Sequence, residues 1–189
     1  MRNLTSLIVS TSALLLIGSA HAGGKDEIKA AIGKFTAARS YHVSMRQSGQ
    51  QAMTTEADFV APDRFRMTMP MGTQIIIGDT MYMDMQGRTM KVPMPKGTLT
   101  QWRDPANIAK YEATMAVKAL GIELLDGKPA KKYRVSNTQP QPSTSTMWIG
   151  GNGYPLQIKV DSKVMDKVVG TTIRYSRFND PSIRIDPPK

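Results

Sequence analysis

The sequence contains no cysteine. That absence excludes thiol catalysis, iron–sulfur clusters, Cys-rich zinc sites and disulfides, so the fold must stand on packing and hydrogen bonds alone. Histidine is almost absent as well. His21 falls in the N-terminal segment, which leaves His42, alternating with apolar neighbours at a strand start. One such histidine reads as a solvated or hydrogen-bonded side chain, and most His-based acid–base schemes fall away with it. The carboxylates are scattered. Asp79 and Asp84 are close in sequence, but one reads as a turn residue and the other as an outward strand residue. Gly150-Gly151-Asn152-Gly153 lacks the lysine and following helix of a phosphate-binding loop and reads as a hairpin turn. These absences predict a protein that is not an enzyme and that carries no metal centre and no cofactor.

Apolar runs long enough to cross a bilayer are missing too. The longest, Leu7 to Ile17, falls short of the roughly 20 residues a spanning helix needs. Arg2 precedes it and Ala20-His21-Ala22 follows it, the positive, apolar and small-x-small zones of a cleavable secretory signal. Residues 1–22 are therefore predicted to be removed, leaving 23–189 as a single periplasmic domain. No cysteine follows the cleavage site, so lipid modification there is excluded. The formal net charge is +10, which suits an anionic membrane face or an acidic partner. The basic residues are spread along the chain rather than gathered in a block, as on a solvated surface. Nucleic acid is a poor match for an exported protein.

What is there is mostly period-two. Lys25 to Arg39 reads as an amphipathic helix, with Ile28, Ala31, Ile32, Phe35 and Ala38 on one face. Alternation then takes over: Tyr41, Val43 and Met45; Met53, Ala57 and Phe59; Phe65, Met67 and Met69. Ala61-Pro62-Asp63, Pro70 to Gly72, Gly78-Asp79 and Gln86-Gly87 punctuate these runs as turns, which makes an antiparallel meander. Asp104 and Pro105 suit the N-cap and first position of a second helix, with Ile108, Tyr111 and Met115 as its apolar stripe and Gly121 as its terminator. Strands resume at Gly121 to Asp126 and Lys131 to Thr138, followed by a loop at Gln139 to Ser145. A hairpin joins Met147 to Gly150 with Tyr154 to Asp161, where Leu156, Ile158 and Val160 share a face. Val169, Thr171, Ile173 and Tyr175 form a last strand, and Ile183 to Lys189 is expected to lie extended along an edge.

Fourteen methionines stand out for their placement. Met67, Met69 and Met71 recur every second residue, as do Met81, Met83 and Met85 one turn later. Each trio therefore shares one face of its strand. Three readings remain open: ordinary core, an adaptable apolar pocket built from flexible thioethers, and a Cu(I) site of soft ligands. The last lacks an accompanying histidine or cysteine, and alternate strand positions stand about 7 Å apart.

The order of elements resembles the LolA/LolB-type lipoprotein-carrier family. Ala57-Asp58-Phe59-Val60-Ala61-Pro62-Asp63-Arg64-Phe65-Arg66 is similar to the family's strand, turn and strand around a proline followed by Phe-Arg. Gly78-Asp79-Thr80-Met81-Tyr82-Met83 resembles its early hairpin, and Met147-Trp148-Ile149 through Tyr154-Pro155-Leu156-Gln157-Ile158 its late one. Ile183 to Pro188 resembles its closing segment. The resemblance implies an α+β, mostly antiparallel, unclosed and curved half-barrel whose concave face is covered by helices. It also implies binding of acyl chains, a lipid or a lipoprotein, with transient contact to an anionic membrane or an envelope acceptor, by a monomer. On that basis Phe65, Met67, Met69, Met81, Met83, Met85, Met147, Ile149, Leu156 and Ile158 are expected to line the cavity. Ile28, Ile32, Phe35, Ile108, Tyr111 and Met115 are expected in its lid. The family's latch arginine, just before the strand-turn proline, is replaced here by Ala61. An envelope interaction module with a packed β core is the alternative.

Overall fold

The alternating segments pair into one antiparallel sheet. The computed structural model describes residues 22–188 apart from 49–51, 86–87, 140–141 and 165–166, and the backbone alone at 22, 85, 162–164, 167 and 168. All of the predicted signal segment except Ala22 thus lies outside the described residues. Helix α1 (Ala22–Ala37) is followed by β1 (Ser40–Gln47), β2 (Met53–Val60), β3 (Arg64–Met69), β4 (Gly72–Ile77), β5 (Thr80–Met85) and β6 (Arg88–Pro93). A 3₁₀ turn (Gln101–Arg103) and α2 (Pro105–Thr114) come next. The chain closes with β7 (Ala116–Leu125), β8 (Lys128–Asn137), β9 (Ser143–Gly150), β10 (Pro155–Val164) and β11 (Lys167–Ser176).

The strand order is β6-β5-β4-β3-β2-β1-β11-β10-β9-β8-β7. First and last strands meet in the middle of the sheet, and the middle of the chain passes from one free edge, β6, to the other, β7. The sheet is curved and unclosed, and the segment from Met94 to Met115 spans its open side. This is the half-barrel that the resemblance implied.

Register carries the alternation across strands. Tyr41 stands opposite Phe59, Phe59 opposite Phe65, Phe65 opposite Ile76, Ile76 opposite Met81, and Met81 opposite Val92. Because side chains alternate between faces, these apolar residues form one continuous row on the inner face. Helix α1 packs on that face along β7 and β10. Its Ile28 and Ala31 are buried in a core with Met115, Tyr133, Val135, Met147 and Ile149. Full burial of Ile28 contributes about 1.5–3 kcal/mol. A second core gathers Ala38, Tyr41, Val43, Ala57 and Phe59, with Phe35, Phe65 and Met67 packed against it.

Tight turns fix this register. Asp126 and Gly127 both have positive φ, the two-residue turn whose twist matches a hairpin. Gly72 also has positive φ, and a Cβ there would collide with the Asp84 carbonyl on β5.

Several boundaries differ from the sequence expectation. Helix α1 begins at Ala22 and stops at Ala37, and Gly24 packs against Val117 and Tyr133. Helix α2 ends at Thr114 rather than running to Gly121. Met115 is already extended, and β7 runs through Gly121, which sits at a register shift with φ of +98°. The glycine serves a β-bulge, not a helix end. The loop expected to Ser145 is shorter, because Ser143 and Thr144 pair with Asn137 and Ser136. The C-terminal tail crosses the outer face instead of following an edge. Arg64 and Arg66 of β3 donate to the carbonyls of Ile185 and Arg184 at 2.8 and 2.6 Å, and Ile183 and Ile185 are buried.

Candidate ligand cavity

The crossing segment starts where local chemistry stops it being loop. Asp104 accepts from the Ala106 amide at 2.7 Å, and Pro105 opens α2 without an N–H to satisfy. Upstream, the Arg103 guanidinium donates to the Thr36 carbonyl and, at 3.3 Å, to that of Ala38. The last carbonyls of α1 lack helical partners, so a cation there satisfies them and complements the helix dipole. Arg103 also stands 4.8 Å over Phe59 and 5.4 Å over Trp102. Two further ties hold α2: Lys29 lies 3.6 Å from Glu112, and the Asn137 amide donates to the Tyr111 carbonyl at 3.4 Å. The ion pair is partly exposed and contributes under about 1 kcal/mol.

Beneath this cover lies a cavity of about 690 Å³. Its wall draws Ile32 and Phe35 from α1, Trp102 from the 3₁₀ turn, Ile108 and Tyr111 from α2, and Met147, Ile158 and Tyr175 from the inner sheet face. Thr36, Thr98, Gln101 and Asn107 are its few polar side chains. Phe35 organises the aromatic side, with ring centroids 4.9 Å from Tyr41, 5.4 Å from Trp102 and 5.0 Å from Tyr175. The surroundings are dry enough to show in the phenols. Burial pushes Tyr175 up to about 12 and raises Tyr111, and it raises Tyr41 further, helped by Tyr175 and opposed by Arg103. Burial likewise lowers Arg103, a shift that the Tyr41 charge opposes. All these phenols are uncharged at neutral pH, so the wall presents no anion to an apolar occupant.

A smaller hollow of about 320 Å³ lies on the other side of the sheet's middle, lined by Met53, Met69, Met71, Gln74 and Met83 among others. The residues expected to line one cavity are therefore divided. Met147 and Ile158 reach the main cavity, and Met69 and Met83 the smaller hollow. Phe65 and Met67 pack against the Phe59 core, and Ile149 is buried under α1. Met81 is half-buried on the inner face between Ile76 and Val92, and the side chain of Met85 lies outside the described residues. Leu156 is on the opposite face. The pairing shifts between Pro155 and Gln157, so a bulge breaks the alternation, placing Pro155 and Ile158 in the cavity and Leu156 in a cleft on the outer side. Of the expected lid residues, Ile32, Phe35, Ile108 and Tyr111 reach the cavity, whereas Ile28 and Met115 are core.

Met71 of the first trio is a turn residue and 84% exposed, so the trio does not share one environment. Among the described residues, no three His, Cys, Asp or Glu side chains form a group able to hold a metal. Sequence reasoning missed Trp102 and Tyr175 as cavity residues and Arg103 as a tie between the cover and the end of α1. Trp102 and Arg103 stand directly before the cap Asp104, a position from which an aromatic and a cation are carried onto the preceding helix. Tyr175 was legible as a strand residue, but its face pointed to no partner until the register was known.

Comparison with known proteins yields the fold. LprF from Mycobacterium bovis superposes with a TM-score of 0.67 at 13% identity, over 90% of this chain and 99% of that one. The Mycobacterium tuberculosis lipoprotein LppX superposes with a TM-score of 0.62 at 14% identity, over 87% of this chain and 98% of the other. An uncharacterized conserved protein from Thermus thermophilus reaches 0.50 at 9% identity, over 88% and 95% of the two chains. No protein-family model matches the sequence, and no curated protein does.

Proposed function

Starting from a fold of the LolA/LolB type, we propose that this chain binds or carries an acyl chain, or a ligand of similar apolarity, within the cell envelope. One observation carries the reading: a cavity of about 690 Å³ between α1, the 3₁₀ turn, α2 and the inner sheet face, partly open to solvent and lined mainly by apolar and aromatic side chains. That volume falls within the range of small-ligand sites, roughly 300–1,000 Å³. Burying an acyl chain returns about 0.8 kcal/mol per CH₂, so a dozen carbons give on the order of 10 kcal/mol before ordering costs. No catalytic group is needed for such a task.

Release is built into the same parts. The cover is held by Arg103, by the Lys29–Glu112 pair and by one long hydrogen bond, each a small increment. Ala61 occupies the place where the resemblance puts a latch arginine, and Ala61 and Arg103 line one recess. Arg103 would thus latch the cover from the lid side instead of from the strand. The inner face of β3–β6, rich in half-buried methionine, extends the apolar surface beyond the cavity and suits chains of variable length. Export by a signal at residues 1–22, a single domain at 23–189 and a periplasmic location belong to this reading, since a carrier works between membranes.

Native mass spectrometry of protein purified from the periplasm tests it. The expected result is a co-purifying lipid adduct, lost on delipidation and restored by added fatty acid. Protein that emerges free of lipid and takes up no fluorescent fatty acid would overturn the proposal.

A further inference from the structure

A second cavity, of about 1080 Å³ and larger than the one under the cover, lies on the other face of the sheet. Its floor is the outer face of β1, β10 and β11, and its roof is the turn between β7 and β8. Strands β9 and β10 separate β8 from β11 in the sheet, yet Asp126 at the hairpin tip accepts from Arg174 through both carboxylate oxygens, at 3.1 and 3.0 Å. The hairpin therefore folds back over the outer face. Trp148 of β9 is buried on that side, with Lys132 and Lys159 at 5.1 and 5.5 Å over its ring.

The charge inside this cleft is one-sided. Five cations line it, Arg46, Lys128, Lys159, Arg174 and Arg177, against two carboxylates, Glu56 and Asp126. Arg174 is oriented by Gln157, whose Oε1 accepts its Nε–H at 2.9 Å, and Glu56 is engaged by Ser44 and His42 at 2.9 and 3.0 Å. Arg177 is tied to Asp180 at 2.8 Å. Arg46 and Lys128 form no ion pair among the described residues. Guanidinium groups fixed in this way present forked donors suited to phosphate or carboxylate. Asn152, Gln157 and the carboxylates add acceptors for hydroxyl groups.

We propose that the outer cleft binds an anionic sugar derivative, its phosphate or carboxylate held by Arg174 and the neighbouring cations and its hydroxyls by Glu56, Asp126, Gln157 and Asn152. The ligand is either a free sugar phosphate or the polyol phosphate head group of a lipid. This site is independent of the acyl cavity, which lies across the sheet.

Titration with glucose 6-phosphate, glucose and inorganic phosphate, and with phosphatidylcholine vesicles with and without phosphatidylinositol, tests the assignment. Three variants accompany the full-length mature protein: Arg174→Gln, the double Arg46→Gln/Lys128→Gln, and Lys96→Gln/Lys110→Gln, which removes the same charge elsewhere. Saturable binding of glucose 6-phosphate, tighter than either fragment and weakened about tenfold or more by the cleft variants, supports a free ligand. Binding confined to phosphatidylinositol vesicles, with the same dependence on the cleft variants, supports a head group. Arg174 also anchors the hairpin, so the double variant decides the matter if Arg174→Gln is destabilised. Binding to none of the phosphate probes, or a loss no greater in the cleft double variant than in Lys96→Gln/Lys110→Gln, overturns the proposal.

Discussion

The two wings of the sheet carry apolar inner faces of similar period but meet different surroundings. On the wing of β7–β11, α1 and the crossing segment lie over Tyr133, Val135, Met147 and Ile149, all of them buried. On the wing of β3–β6, no described side chain is buried; Phe65, Met67, Ile76, Met81 and Met83 are half-covered, and Met90 is exposed. The difference shows that alternation records a dry face without recording what dries it. A face completed by protein takes rigid aliphatic and aromatic residues that interlock. The open face takes methionine, whose flexible side chain loses little by standing half exposed. On the outer side the roles partly reverse, since the tail buries Ile183 and Ile185 and is held by Arg64 and Arg66 of the methionine wing.

The sharpest break of this comparison is a pair of truncations. Ile28→Ala is expected to cost about 2–5 kcal/mol in denaturant unfolding, because it opens a cavity in a closed core. Met83→Ala is expected to cost under about 1 kcal/mol, because its site is already half open. Equal costs would mean that the wings are equally packed. Next in size, Arg103→Ala should lower stability by about 1–3 kcal/mol, leaving the Thr36 and Ala38 carbonyls unpaired. Its amide exchange should rise in residues 94–115 while β8 and β9 stay protected; a uniform rise would show that Arg103 supports the whole fold.

Smaller effects follow from titration. Tyr175 ionises at about 12 when folded against 10.0 when free, and Tyr41 is raised in the same direction. A raised folded pKa gives stability that is complete below pH 10 and is lost as pH climbs from 10 towards 12. Tyr175→Phe should flatten that alkaline loss, and an unchanged profile would place the phenol in water. The smallest effect is at the acid end. Asp180 is held at about 2 by hydrogen bonds from Ser182 and by Arg177, against an ordinary 3.8. Its contribution is present above 3.8 and disappears as pH falls towards 2, so Asp180→Asn should remove that part of the acid transition and leave the methionine wing unaffected.

Much of this architecture is readable in the chain. Period-two alternation located most strands, and Asp104-Pro105 located the start of α2, because caps and pleats are local. What escaped is what locality does not encode. Gly121 looks like a helix stop and serves a bulge, since Ile108 and Tyr111 are helical as expected but pairing with β8 takes over from Ala116. Leu156 keeps step with Ile158 in sequence, and a single inserted residue sends it to the outer face. The sharing of the inner face between a closed core, a cavity and an open methionine surface depends on where α1 docks, which involves residues far apart in the chain. Arg103 illustrates the same point, since its role exists only once the end of α1 lies beside it.

The central claim is that the space under the cover is meant for an occupant. Replacing Ile158, which packs at the margin of the core, by tryptophan fills that space from the sheet side and leaves the buried Ile28, Tyr133 and Val135 unsubstituted. Fluorescent fatty-acid titration and thermal melting of Ile158→Trp should show binding lost and the melting temperature unchanged or raised. Retained binding, or unfolding of the variant, would contradict the account.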